Sequence, residues 1–340
     1  MPSNHSEQQQ QQQYDLSFTN RRLTITVSEE PWTAMKACIE AINSTNRKDA
    51  GIILLAMINS QPEQREQRQA IRETWGQQKE TDPTLQIVFV LGRSEVNNTS
   101  SAEEAGRLQT ENMRHGDLLV TDLKESYFNL TWKTYLMLRW KSDGDCAKVP
   151  FLLKTDSDVM VLSDNLLRFC RQFLKLASRS LSPLFTGIRG HCWAGAPVVR
   201  DPGDKKAFVP FSAYPGSLYP RYCSGTGYLL TGSAPRILSE RAPQHSWLHV
   251  EDVLFTGVIA EAAKLQRILD FRFNFLYNRD FTVCRQKSNY AFTSHRFNTA
   301  ADLRRTWKEY RAAKEKKCRV APPTHRRHHR RKRKMENIRN

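Results

Sequence analysis

The sequence lacks any apolar run long enough to cross a bilayer. Its longest, Ile52 to Ile58, falls far short of the ~20 residues a spanning helix needs. It has no apolar leader either, because Met1 to Gln13 is polar and ends in six consecutive glutamines. Its seven cysteines include no Cys-x-x-Cys pair, which argues against a structural zinc site. The main body also lacks an excess of charge. The formal net charge is +17, but residues 311–340 hold 13 Lys/Arg against 2 Asp/Glu, which leaves only +6 on the other 310 residues. Basicity is thus a property of the tail and says little about the fold.

With 340 residues there is ample material for a buried core, as one large or two modest domains. We expect a polar and partly disordered segment over residues 1–47, one folded domain over 48–320 and a disordered basic tail over 321–340. Asn-x-Ser/Thr sequons at Asn4, Asn43, Asn97, Asn98 and Asn129 lean toward a secretory compartment, the only place where they are usable.

Along the chain, Trp32 to Ile42 suits a short helix. Gly51 to Ile58 reads as a strand buried on both faces, the pattern of a parallel sheet. A helix is expected from Ser60-Gln61-Pro62-Glu63, where Ser and Glu are spaced as a capping box, to Trp75, with Gly76 ending it. Strands then follow at Leu85–Leu91 and Asp117–Val120. Helices are expected from Ser101 to Gly116, from Asn129 to Lys141 and from Ser163 to Ala177. Four strand–helix repeats imply an α/β fold, a mostly parallel sheet with helices on both faces, whose ligands bind at the carboxyl ends of its strands.

One such end is Lys154-Thr155-Asp156-Ser157-Asp158. In an extended segment Asp156 and Asp158 share a face while Ser157 points away, and two hard oxygen ligands there suit a divalent cation that in turn receives a phosphate. From Gly187 to Gly232 the chain is rich in Gly, Pro and Tyr and reads as largely irregular. Gly225, Thr226 and Gly227 allow close backbone approach to a ligand, and the tyrosines offer flat faces suited to sugars. Glu251 and Asp252 open a helical stretch running to about Leu265. Adjacent acids there either complement the helix dipole or, facing a pocket, supply a general base. Arg68, Arg72 and Lys133 are candidate partners of a diphosphate or nucleotide, although such side chains ordinarily sit on exposed helix faces.

Two other readings compete. Asp-x-Asp after a strand also opens the core of haloacid-dehalogenase-type phosphatases, but on the first strand, whereas at least three precede it here. The run Arg326-Arg327-His328-His329-Arg330-Arg331-Lys332-Arg333-Lys334 suits polyanion binding, without specific nucleic-acid recognition, and leaves the acidic and glycine motifs idle.

Several segments together carry a family resemblance. They are Arg68-Gln69-Ala70-Ile71-Arg72-Glu73-Thr74-Trp75-Gly76, Glu125-Ser126-Tyr127-Phe128-Asn129-Leu130-Thr131-Trp132-Lys133-Thr134, the Asp156-Ser157-Asp158 segment, Tyr219-Pro220-Arg221-Tyr222-Cys223-Ser224-Gly225-Thr226-Gly227-Tyr228, Glu251-Asp252-Val253, and His295 ahead of Trp307. In this order they resemble the animal β1,3-galactosyltransferases and β1,3-N-acetylglucosaminyltransferases of glycosyltransferase family 31.

The resemblance implies a GT-A-type, Rossmann-like fold with an irregular acceptor-side half. It also implies a UDP-sugar donor, a glycan acceptor on glycoprotein or glycolipid, Mn²⁺ and inversion. Asp156, Asp158 and His295 would hold the metal, the imidazole favouring Mn²⁺ over Mg²⁺. Asp252 would be the base, with Glu251 orienting the acceptor. The Cys223–Tyr228 segment and the Asp-Ser-Asp form are more similar to galactosyl than to N-acetylglucosaminyl members. The family lies in the Golgi lumen as type II membrane proteins, and the anchor expected from that is not seen in this sequence. Ala207 departs from the family, whose members tend to have an aromatic residue there.

Overall fold

The computed structural model describes residues 12–18, 21–27, 51–94, 100–143, 145–179, 185–276 and 291–315. The sequons at Asn4, Asn43, Asn97 and Asn98, the expected Trp32–Ile42 helix and the basic 326–334 run lie outside them.

The elements follow in chain order. A hairpin of β1 (Gln12–Phe18) and β2 (Arg21–Val27) precedes β3 (Leu54–Asn59), α1 (Arg65–Glu73) and β4 (Leu85–Arg93). Next come α2 (Ser100–His115), β5 (Leu118–Lys124), α3 (Leu130–Ser142), β6 (Phe151–Asp156), β7 (Val159–Val161) and α4 (Ser163–Arg179). The second half holds β8 (Gly187–Trp193), β9 (Tyr222–Thr231), α5 (Ala234–Arg241), a π-helix (Val253–Ile259), β10 (Gln266–Leu269), β11 (Thr293–His295) and α6 (Ala300–Glu315).

The main sheet runs β1-β2-β5-β4-β3-β6-β9-β8-β10. In its seven-stranded centre β5, β4, β3 and β6 pair in parallel. Strand β9 is antiparallel to β6 and β8, and β10 is parallel to β8, so β9 alone runs backwards. Alternate residues of β3 supply both sides of the core: Leu55 and Met57 one cluster, Leu54, Ala56 and Ile58 the other. The first cluster is closed by α3, α5 and the π-helix. The second is closed by α1, α4 and α6. Helix α3 is buried on almost every side, as befits a helix without a polar face.

Several expectations are corrected. Strands β1 and β2 pair antiparallel, and β2 meets β5 at Val27–Thr121. Leu23, Ile25 and Val27 alternate with Thr24 and Thr26, the period of a strand, inside a segment read as loose. The helix after β3 starts at Arg65, not near Ser60. Gln64 is its N-cap, and the Gln64 Oε1 accepts from the Gln61 N–H instead of a Ser60/Glu63 box forming. That helix stops at Glu73, and Gly76 sits where a Cβ would come 2.7 Å from the Ile71 carbonyl oxygen.

The 187–232 region is not one irregular loop. It contains β8 and β9, joined across the sheet by the Cys192–Cys223 disulfide, with the excursion 194–221 between them. The stretch after Asp252 is a π-helix followed by a single α-turn, not a regular α-helix. Gly116 closes α2 as expected, at φ +62°, the left-handed conformation glycine adopts without penalty.

Candidate active site

Strand β3 ends at Asn59 exactly opposite the end of β6 at Asp156 in the parallel register. The chain then turns through Ser157 and Asp158 into β7. This turn replaces the extended geometry expected from sequence, and its consequence differs: Asp156, Ser157 and Asp158 all line one cavity of about 410 Å³. Gln67 holds the turn from α1, its amide donating to the carbonyls of Ser157 and Phe297, both at 2.9 Å.

The Asp156 Oδ1 accepts from the Asn59 amide and from the Lys154 ammonium, each at 3.1 Å. Lys154 is buried and reaches further, to the Gly225 carbonyl at 2.7 Å and the Glu251 Oε2 at 3.2 Å. Burial alone would lower its pKa, but the two carboxylates hold it well above the usual lysine value. Tyr228, opposite Lys154 in the β6–β9 register, donates its hydroxyl to the Glu251 Oε1 at 2.6 Å. Both oxygens of buried Glu251 are therefore taken.

Asp252 turns the other way and is half-buried. Its Oδ2 accepts from the Gly225 N–H and its Oδ1 from the Val253 N–H, both at 2.9 Å. Burial, helped by the Glu251 charge, pushes the Asp252 carboxyl up to about 6. That value lies nearer to neutrality than an ordinary carboxylate, in the range suited to proton exchange. Gly225 lies tight against both acids, since a Cβ there would come 3.2 Å from the Glu251 Oε2 and 3.4 Å from the Asp252 Cβ. Gly227 has ordinary van der Waals room, and Thr226 offers its carbonyl to the Thr155 hydroxyl.

On the far side of the turn, β11 pairs antiparallel with β7 and sets His295 opposite Val159. The His295 Nε2 lies 3.0 Å from the Asp158 Oδ2, while Nδ1 meets the Phe275 carbonyl at 3.0 Å. Burial would push this imidazole down, but the Asp158 hydrogen bond and charge hold it above its ordinary value. The protonated ring donates at both contacts, and loss of the Nε2 proton, with Nδ1–H kept on the Phe275 carbonyl, would free the Nε2 lone pair for a metal. Arg296 adopts φ +76°, and the next residue returns its N–H to the Asp158 carbonyl. Among the described residues no group of three or more His, Cys, Asp or Glu side chains converges closely enough to hold a metal as the chain stands. The Asp158 Oδ1 and Asn59 Oδ1 are nonetheless buried without a hydrogen-bond partner, unused oxygen donors at the same strand ends.

The three basic candidates sit differently. Lys133 lines the cavity, but its ammonium is spent on the Ser60 carbonyl at 2.8 Å and both Glu125 oxygens at 3.1 Å. Burial lowers its pKa. Arg68 and Arg72 do not reach the cavity surface. Arg68 makes a forked pair with Glu111 and supports the cavity wall through the Gln61 carbonyl. Arg72 grips Asp117 with two bonds and Glu111 with one. Lys154 and Tyr228 were missed by the sequence reading. Lys154 precedes Asp156 by two residues on a strand, the spacing that shares a face, but Tyr228 is identified only by the antiparallel pairing.

The chain is similar to several curated proteins. It is 33% identical over 222 residues to a zebrafish (Danio rerio) lactosylceramide 1,3-N-acetyl-β-D-glucosaminyltransferase A, covering 64% of this chain and 56% of that one. It is 29% identical over 279 residues to the mouse (Mus musculus) β-1,3-galactosyltransferase 1, covering 82% of this chain and 80% of that one. For the mouse β-1,3-galactosyltransferase 2 the identity is 30% over 270 residues, covering 78% and 60%. A solved structure of the bifunctional glycosyltransferase WbbM matches 80% of this chain and 45% of its own at 12% identity and a TM-score of 0.31, too distant to bear on the fold. The model of the galactosyltransferase family matches residues 66–270, which span the end of β6, the Asp-Ser-Asp turn and the Glu251–Asp252 pair, and this chain belongs to that family.

Proposed function

We propose that this protein is an inverting hexosyltransferase that moves galactose from UDP-galactose in β1,3 linkage to a glycan acceptor. The observation that carries the reading is the division of labour among four carboxylates. Asp156 and Asp158 line the cavity, Glu251 is neutralised by Lys154 and hydrogen-bonded by Tyr228, and the half-buried Asp252 has no ammonium partner among the described residues and a raised pKa. In the transfer, the Asp252 carboxylate takes the proton of the acceptor hydroxyl. The acceptor oxygen forms its bond to the anomeric carbon from the face opposite the diphosphate, and the C–O bond to UDP breaks with its electron pair leaving on UDP.

Asp156, Asp158 and His295 would hold Mn²⁺. The partnerless Asp158 oxygen and an imidazole beside a carboxylate make a donor set that suits this ion. When bound, it supplies Lewis-acid neutralisation of the diphosphate. A second donor reading, UDP-N-acetylglucosamine, is favoured by the likeness to the zebrafish N-acetylglucosaminyltransferase. A Golgi-lumenal location is proposed on the Cys192–Cys223 disulfide, which persists in oxidising compartments. The test is incubation with Mn²⁺ and a panel of UDP-sugars, reading UDP release with and without GlcNAc-terminated acceptors. Acceptor-dependent release from UDP-galactose ahead of UDP-N-acetylglucosamine is expected. The reverse order assigns the other donor, and no release from any sugar overturns the reading.

A further inference from the structure

A group of aromatic rings lies beside this centre and is not used by the chemistry above. Trp193 ends β8 and faces Tyr222, the first residue of β9, in the β8–β9 register, with ring centroids 5.4 Å apart. Tyr222 continues to Tyr219 at 6.0 Å and Tyr219 to Tyr214 at 5.3 Å. Trp193 also meets His191 and Phe275, each at 5.0 Å, and His191 meets Phe271 at 5.8 Å. Trp193 is half-buried and belongs to neither core cluster, and Phe271 is 72% exposed.

Two inner rungs of this ladder, the neighbours of Trp193, connect to the proposed reaction centre. The Phe275 carbonyl holds His295, and Tyr222 lies three residues from Gly225, whose N–H holds Asp252. Burial and the Asp252 charge push the Tyr222 hydroxyl up to about 12, so that ring lies within the field of the proposed base. Two polar atoms of the ladder, the Tyr219 hydroxyl and the His191 Nδ1, are buried without a partner among the described residues. Buried tyrosine hydroxyls normally find one. Flat apolar faces with polar tips beside a general base are what a pyranose needs, since its C–H face stacks while its hydroxyls seek hydrogen bonds.

We infer that Trp193 and Tyr222 form the platform on which the terminal pyranose of the acceptor stacks, presenting its hydroxyl to Asp252. This rests on the transferase reading above and adds residues that contact the acceptor and set its specificity. The experiment compares wild-type protein with Trp193→Ala, Trp193→Phe and Tyr222→Leu, each checked for folding by thermal melting. UDP binding is read by calorimetry with Mn²⁺. Binding of methyl β-N-acetylglucosaminide and methyl β-galactoside is read by saturation-transfer NMR in the presence of UDP and Mn²⁺, and acceptor and donor KM are measured where turnover is found.

At least one glycoside should receive saturation in the wild type, most strongly along one face of its C–H groups. Trp193→Ala and Tyr222→Leu should lose that signal and raise acceptor KM about tenfold or more, Trp193→Phe should largely retain it, and UDP affinity and donor KM should hold. Unchanged acceptor binding in folded Trp193→Ala and Tyr222→Leu overturns the platform, as does a rise in donor KM alone or a wild type that saturates neither glycoside. Loss of all UDP binding in the wild type would instead count against the transferase reading itself.

Discussion

The Tyr228 hydroxyl donates to the Glu251 Oε1 at 2.6 Å, and this bond, with Lys154 on the other oxygen, is the ground on which we propose Asp252 rather than Glu251 for proton transfer. Glu251 is closed off. Asp252 keeps a half-buried carboxylate that, among the described residues, is held by two backbone N–H groups.

The variant Asp252→Asn nearly preserves shape and still accepts one of those hydrogen bonds. It should bind UDP as the wild type does but transfer sugar at least about a hundredfold more slowly, the lower end of what a general base supplies. Glu251→Gln should be dominated by lost stability, because the buried Lys154 then keeps only Asp156 as a charged partner. Initial rates and melting curves on the same preparations separate the two effects. Near-normal transfer by Asp252→Asn beside a folded, inactive Glu251→Gln would move the base to Glu251.

Asp252 also predicts a pH dependence. Its folded pKa of about 6 lies above the ordinary 3.8, so the native state holds this proton more tightly than the unfolded chain. The stability it contributes is fully present below pH 3.8 and is lost as pH rises through about 6. Catalysis runs oppositely, since the base must be ionised, and transfer should rise with pH around the same value. Melting temperatures and rates measured between pH 4 and 8, at about half-unit steps, should show both trends in the wild type. In Asp252→Asn this part of the stability trend should vanish.

For the metal, Asp158→Asn should abolish Mn²⁺-dependent UDP binding while leaving the melting temperature close to wild type. His295→Ala should weaken it less, as one donor among several is lost. Calorimetric titration of UDP with and without Mn²⁺ reads this directly. Unchanged affinity in Asp158→Asn would remove that residue from the metal site.

Arg68 is fully buried and tied to Glu111, so its removal leaves a buried carboxylate with Arg72 as its remaining ion-pair partner. Arg68→Met should cost about 3–5 kcal/mol by denaturant melting. The double variant Arg68→Met/Glu111→Leu should cost less than the sum of the two single changes, because it removes the under-paired charge while Asp117 still holds Arg72. A single variant as stable as the wild type would show that the ion cluster contributes nothing.

The sequence by itself determined the layered α/β core. The apolar run through Ile58 could only be a strand buried on both faces, and the four strand–helix repeats admit few arrangements other than a parallel sheet with its ligands at the carboxyl ends. It also determined the chemical kinds at the site, because Asp156, Asp158 and the Glu251–Asp252 pair are local patterns. What only the tertiary structure decided is which charge meets which. Arg68 and Arg72 look like surface cations in sequence, and burial against Glu111 and Asp117, more than forty residues on, turns them into scaffold. The β8–β9 pairing was hidden because its partners are separated by the 194–221 excursion, and so were the Cys192–Cys223 bridge and the Trp193–Tyr222 stack it sets in place. The separate roles of Glu251 and Asp252 depend on Lys154 and Tyr228 from two other strands. Contacts between distant strands carry no local signature, so they are settled only when the sheet closes.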